Sequence, residues 1–123
     1  MNDTVIHIVD DDEAVRSAMR LLLRSYGWRS RAFASAEEFL EALVEEVPDC
    51  LLLDLNMPGM NGAELLEVLG TRRSAVPVIV VTGEGSSALA ARARGAGAEA
   101  VLDKPFSEED LKASIDRILA DSH

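Results

Sequence analysis

Four apolar stretches of this chain each run into a charged or hydroxyl residue, and those endings are where chemistry is available. Val5–Val9 leads to Asp10, Asp11 and Asp12, Cys50–Leu53 to Asp54, Val78–Val81 to Thr82, and Val101–Leu102 to Asp103 and Lys104. If these stretches are strands of one parallel sheet, their carboxyl ends line a single crevice. Carboxylates, a hydroxyl and an ammonium then converge at one edge. Hard carboxylate oxygens suit Mg2+, which keeps several waters and takes one or two carboxylates together with phosphate oxygens. Asp10 and Asp11 are neighbours on extended chain and point different ways, so one can bind metal directly and the other through water. Asp12 begins a helix and reads instead as a favourable charge at its N-terminus.

Asp54 ends an apolar strand with no helix to cap. Crowded against Asp10 and Asp11, its charge is unfavourable unless a cation offsets it. Once offset, the carboxylate can attack an electrophilic phosphorus. Phosphoryl transfer needs mainly positioning and charge neutralisation, which a divalent ion and Lys104 supply. Thr82 can hydrogen-bond a phosphoryl oxygen, and Gly83 leaves room for close approach. Lys104 precedes Pro105, where a cis peptide is open to the chain.

The elements that must hold these residues alternate along the chain. Val5–Val9 reads as a strand buried on both faces. The next segment places Val15, Ala18, Met19 and Leu22 on one helical face and stops at Gly27. Trp28–Phe33 is a weaker strand, broken by Arg29 and Arg31 as befits a sheet edge. Ser35-Ala36-Glu37-Glu38 forms a capping box, opening a helix with Phe39, Leu40 and Leu43 on its inner face. Pro58, Gly59 and Gly62 mark a loop, after which Asn61 caps a helix bearing Leu65, Leu66 and Leu69. Pro77 suits the start of a strand. Residues 86–97 form an Ala-rich helix whose main large anchor is Leu89, so it packs less firmly than the others. Ser107 caps a last helix with Leu111, Ile115 and Ile118 inward. Five strands alternating with five helices imply an α/β fold, a parallel sheet with helices on both faces and right-handed crossovers.

Size and composition bound the answer. The chain has 123 residues, 48% of them hydrophobic and 28% charged, which describes one globular domain rather than several. Its net charge of −10, from 22 acidic and 12 basic residues, argues against direct nucleic-acid binding. Cys50 is the single cysteine, which excludes an internal disulfide and a cysteine zinc site. No signal-peptide pattern is present and no apolar run approaches ~18 residues, so a cytoplasmic, non-membrane protein is expected.

The motifs together resemble the receiver domain of two-component response regulators, across residues 1–123. They are Ile8-Val9-Asp10-Asp11-Asp12-Glu13, the run Leu53-Asp54-Leu55-Asn56-Met57-Pro58-Gly59-Met60-Asn61-Gly62, Val80-Val81-Thr82-Gly83, and Asp103-Lys104-Pro105-Phe106. The acidic start and the Thr-Gly pair are most similar to receivers of the FixJ type. The resemblance implies a flavodoxin-like, CheY-like doubly wound sheet of strand order 2-1-3-4-5, which sets Asp10 and Asp11 beside Asp54. It implies that Asp54 takes a phosphoryl group from the phosphohistidine of a histidine kinase or phosphotransfer protein. Asp11, Asp54 and the backbone carbonyl of Asn56 would bind Mg2+ directly and Asp10 through water, with Mn2+ able to substitute. Thr82 and Lys104 would hold the phosphoryl oxygens, and hydrolysis of the acyl phosphate would reset the switch.

The same resemblance makes Thr82 a switch residue whose usual aromatic partner lies three residues before the lysine. Here that position is Val101, a departure that removes the swinging ring. Activation is then expected to rely on Thr82 and on a shift of helix 86–97. Asn56 and Glu84 can orient water, which implies a short phosphoryl lifetime. The implied output face is the fourth helix, fifth strand and fifth helix, with Arg92 and Arg94 supplying positive charge for a phosphorylation-dependent homodimer or another partner. Ending at His123, the chain leaves no room for a DNA-binding output domain, so it reads as a single-domain regulator or the receiver of a longer protein. The protein is thus expected to be a signalling switch and not an enzyme acting on other substrates. A phosphatase of the haloacid-dehalogenase type also uses Asp, Mg2+, Thr and Lys on a parallel sheet. It needs an acid two residues after the nucleophile, and this chain has Asn56. A receiver kept only for binding would not need the complete acid, Thr and Lys set.

Overall fold

Strand positions alternate between two helical layers, and that alternation builds the molecule. The computed structural model describes residues 3–121. Val5–Val9 (β1), Arg29–Phe33 (β2), Cys50–Asp54 (β3), Val78–Thr82 (β4) and Ala100–Asp103 (β5) form one parallel sheet ordered β2-β1-β3-β4-β5. The helices are Glu13–Ser25 (α1), Ala36–Leu43 (α2), Gly62–Thr71 (α3), Ala88–Gly95 (α4) and Glu108–Asp121 (α5). Both the sheet order and the alternation of elements are those expected from the sequence.

Val9, Leu51, Leu53, Val78 and Val80 face a layer containing Phe39 of α2, Leu65 and Leu69 of α3, and Ala90 and Ala93 of α4. Ile6, Ile8, Leu52, Ile79 and Val81 face the other layer, against Met19 and Leu23 of α1 and Leu111, Ile115 and Ile118 of α5. Covered on both faces, β1, β3 and β4 are buried along their whole length, which is why they read as continuous apolar runs. The edge strand β2 alternates Arg29 and Arg31 outward with half-buried neighbours. Cys50 is fully buried, and desolvation pushes its thiol up to about 12, so it is inert. Among the described residues, no helix is long and apolar enough to cross a membrane.

Several local expectations shift. On α1, Leu23 rather than Ala18 joins Met19 in the core, and Ala18 is exposed. Met19 and Leu23 are one turn-plus apart on the sheet-facing side, while Ala18 stands at the lip of a groove. Ser35 Oγ accepts from the Glu38 N–H at 3.2 Å, but its hydroxyl also lies 3.3 Å from the Glu38 carboxylate, so the reciprocal half of that capping box is not formed. The complete box is at Asn61 and Glu64, with both hydrogen bonds at 2.9 Å.

The Ala-rich helix is shorter than 86–97. Ser87 caps it, its hydroxyl accepting from the Ala90 N–H at 3.0 Å, and Gly97 at φ +107 lies beyond its end. Two fully buried alanines, Ala90 and Ala93, join half-buried Leu89 in holding it to the core. Arg92 Nε donates to a Glu67 carboxylate oxygen on α3 at 2.7 Å, and Arg94 Nη1 donates to the Gly85 carbonyl at 2.9 Å. Both arginines are exposed and also hydrogen-bonded within the molecule.

Candidate functional site

The site lies at the carboxyl edge of β1, β3, β4 and β5, where register decides which side chains meet. Val9 is level with Leu53, Asp54 with Val81, and Thr82 with Asp103. The chain leaving β1 stays against β2 through the Asp10 N–H donating to the Phe33 carbonyl at 3.1 Å. It then turns sharply: the Asp12 N–H donates to Asp10 Oδ1 at 2.9 Å, and Asp12 Oδ1 accepts from the Ala14 N–H at 2.9 Å as the cap of α1. Asp12 is a cap, as its position suggested. Asp10 and Asp11 are left to the crevice.

Carboxylate oxygens of Asp10, Asp11 and Asp54 all lie within 4.8 Å of one another. Asp10 and Asp54 are buried, and Asp11 is exposed. Lys104 Nζ approaches Asp54 Oδ1 at 3.8 Å. Burial first, then the charge of Asp10, pushes the Asp54 carboxyl up to about 6 against the pull of Lys104. Burial also raises Asp10. One lysine does not offset three acids packed this closely. Three hard oxygen donors facing one point, with surplus negative charge, fit a divalent cation such as Mg2+.

Asn56 and Thr82 complete the site. The Asn56 N–H lies 3.3 Å from Asp54 Oδ1, and its side-chain Nδ2 donates to Thr82 Oγ1 at 3.3 Å. Thr82 is fully buried, and its Oγ1 also accepts from the Glu84 N–H at 3.1 Å. The Lys104 N–H donates to the Thr82 carbonyl at 2.8 Å, and the Lys104–Pro105 peptide is cis. Val101 is half-buried and packs toward the α4 layer. All the residues singled out from strand endings thus meet at one edge, with Val101 behind them. A groove of about 420 Å³ opens beside Asp54 and Lys104, walled by Val15, Ala18 and Leu22 of α1 and by Phe106.

Two glycine roles were not legible beforehand. Gly62 opens α3, and a Cβ there would come within 2.9 Å of the Asp54 carbonyl oxygen and Leu55 Cα. Glycine therefore lets α3 start directly behind the reactive residue; the signal available was its fixed distance from Asp54 in the motif. Gly83 carries no such demand, since a Cβ there meets nothing within 4 Å. Gly85 does: a Cβ would overlap the Asp103 carboxylate.

Comparison with known proteins agrees with this geometry. The sequence profile of the response regulator receiver domain matches residues 6–116. The chain belongs to the response regulator receiver domain family. The response regulator protein TmoT of Ectopseudomonas mendocina is 42% identical over 117 residues, covering 94% of this chain and 53% of that protein. The transcriptional regulatory protein FixJ of Rhizobium meliloti is 38% identical over 117 residues, 95% of this receiver and 57% of FixJ. The receiver thus spans about half the length of the curated relatives it matches. Among solved structures, FixJ-N superposes with a TM-score of 0.90 at 38% identity, covering 98% of this chain and 96% of the other. Signalling by phosphorylation is general to the family, whose members are switches of two-component systems.

Proposed function

We propose that Asp54 accepts a phosphoryl group from the phosphohistidine of a histidine kinase or phosphotransfer protein, and that this switches the α4–β5–α5 face for dimerisation or partner binding. The observation that carries this reading is the meeting of Asp54 with Lys104 at 3.8 Å inside a cluster with Asp10 and Asp11. An Asp54 oxygen attacks phosphorus while the phosphorus–nitrogen bond breaks and its electron pair returns to the imidazole. With a carboxyl titrating at about 6, Asp54 is mostly ionised, and so nucleophilic, at neutral pH.

Asp11, Asp54 and the Asn56 carbonyl would hold Mg2+ directly and Asp10 through water, with Mn2+ a substitute. When bound, the ion supplies neutralisation of the charge gathered by the carboxylates and the phosphoryl oxygens. Lys104 pairs with one phosphoryl oxygen, and the Thr82 hydroxyl donates to another. The apolar groove between α1 and Phe106 gives a protein donor a surface to lie on while its imidazole reaches Asp54. A cytoplasmic setting fits such a donor. Attack of water on the acyl phosphate returns the carboxylate and inorganic phosphate, and Asn56 and Glu84 would orient that water.

Acetyl phosphate with Mg2+ tests the reading directly. Intact mass should gain one phosphoryl group in wild type and none in Asp54→Asn. A labelled Asp54→Asn variant, or an unlabelled wild type, overturns it.

A further inference from the structure

Gly85 is buried, and a buried backbone N–H or carbonyl must be paired. Both its N–H and its carbonyl pair with side chains. Its N–H donates to Asp103 Oδ1 at 2.6 Å, and its carbonyl accepts from Arg94 Nη1 of α4 at 2.9 Å. One residue thus joins the end of β5 to α4. On its other side it directly follows the Thr82–Glu84 turn, in which the Glu84 N–H donates to the Thr82 hydroxyl oxygen at 3.1 Å. Asp103 in turn precedes Lys104, whose N–H is bonded to the Thr82 carbonyl. Glycine at the junction lets the carboxylate sit against the backbone, since a Cβ there would displace the Asp103 side chain from the Gly85 N–H.

We propose that Asp103 is a positioning residue, which through Gly85 and Arg94 transmits the movement of Thr82 to α4 in place of the aromatic side chain absent at Val101. This rests on the phosphoacceptor reading above. When Thr82 rotates to bring its hydroxyl to a phosphoryl oxygen, Oγ1 leaves the Glu84 N–H and the Asn56 amide that it accepts from, and segment 83–85 moves to pair the Glu84 N–H again. The Asp103 carboxylate holds the far end of that segment. The displacement is therefore passed along the Gly85 carbonyl to Arg94 instead of being absorbed in a slack loop. Val101, half-buried behind the junction, has no ring to swing.

Hydrogen exchange of segment 84–95, with and without beryllofluoride and Mg2+, tests this alongside phosphoryl incorporation from acetyl phosphate. Wild type should change its exchange across 84–95 on adding beryllofluoride. Asp103→Ala should still take up phosphoryl on Asp54, exchange this segment about tenfold faster without ligand, as loss of one charge-assisted bond implies, and lose the ligand-dependent difference. Asp103→Asn keeps an oxygen for the Gly85 N–H and should restore most of the difference. Gly85→Ala should reproduce Asp103→Ala from the opposite side. A wild-type response in Asp103→Ala and Gly85→Ala, or no response of 84–95 in phosphorylated wild type, overturns the proposal. Failure of wild type to take up phosphoryl overturns the phosphoacceptor reading instead.

Discussion

At the scale of single residues, Asp54 shows why a functional residue is also an unstable one. Its carboxylate is buried and faces Asp10 and Asp11, so ionisation costs stability that a cation returns. Asp54→Asn should therefore raise the stability of the metal-free protein at neutral pH by about 1–3 kcal/mol, since one pKa unit is worth about 1.4 kcal/mol. The same change should shrink the stabilisation that Mg2+ confers, as read by urea denaturation with and without the ion. A variant no more stable than wild type without metal would mean the cluster is not under electrostatic stress. Asp10, Asp11, Asp54, Thr82 and Lys104 were legible because each interrupts an apolar run at its carboxyl end. Gly62 was legible only as a turn residue, its steric role being hidden until α3 is placed. Gly62→Ala would push a methyl against Asp54 O and Leu55 Cα. It should lower stability by about 1–3 kcal/mol, the usual cost of overpacking, and slow labelling by acetyl phosphate, because the strain falls on the residue that reacts. His7 had no such signal. It lies inside an apolar strand, and its partner Glu46, 3.0 Å from Nε2, is 39 positions away.

At the scale of elements, α4 is where sequence pattern and packing part company. An apolar count makes this helix look loosely held, with Leu89 its main anchor. Packing adds to that picture: Ala90 and Ala93 are both fully buried, because small side chains let the helix lie close to α3 and β5, and half-buried Leu89 packs against the same core. Polar groups invisible to periodicity do the rest, through Arg92 with Glu67 and Arg94 with the Gly85 carbonyl. The start of the helix moved for the same kind of reason, since Ser87 caps it by accepting from the Ala90 N–H. Close approach makes a specific demand on size. Ala93→Leu should destabilise by about 1–3 kcal/mol through overpacking, whereas Ala91→Leu on the exposed side should stay within about 0.5 kcal/mol. Thermal or urea unfolding of the two variants checks this. Equal effects would mean that α4 floats over the sheet rather than resting on it.

At the scale of the whole molecule, the two buried titrating centres pull stability in opposite directions with pH. The Asp54 carboxyl, at about 6 when folded against 3.8 as a free group, binds its proton more tightly in the native state. Its stabilising contribution is present below about pH 4 and is lost as pH rises through 6, amounting to about 3 kcal/mol at most. His7 behaves in reverse. Desolvation between Phe33 and Phe39 lowers its pKa below the ordinary 6.5 despite the opposing influence of Glu46, so stability is lost as pH falls below that value. Nδ1 of His7 is buried without a hydrogen-bond partner among the described residues. That suits a neutral ring donating from Nε2 to Glu46, whose carboxylate also lies 3.7 Å from both Arg29 and Arg31. The two contributions oppose each other in the wild type, so the Asp54 part is read from the difference between Asp54→Asn and wild type. In chelator, that difference should be small near pH 4, grow through pH 6 and level off above pH 7. Mg2+ should reduce it most where Asp54 is ionised. A difference constant across this range would show that the variant acts through packing, and that crowded charge does not govern the site.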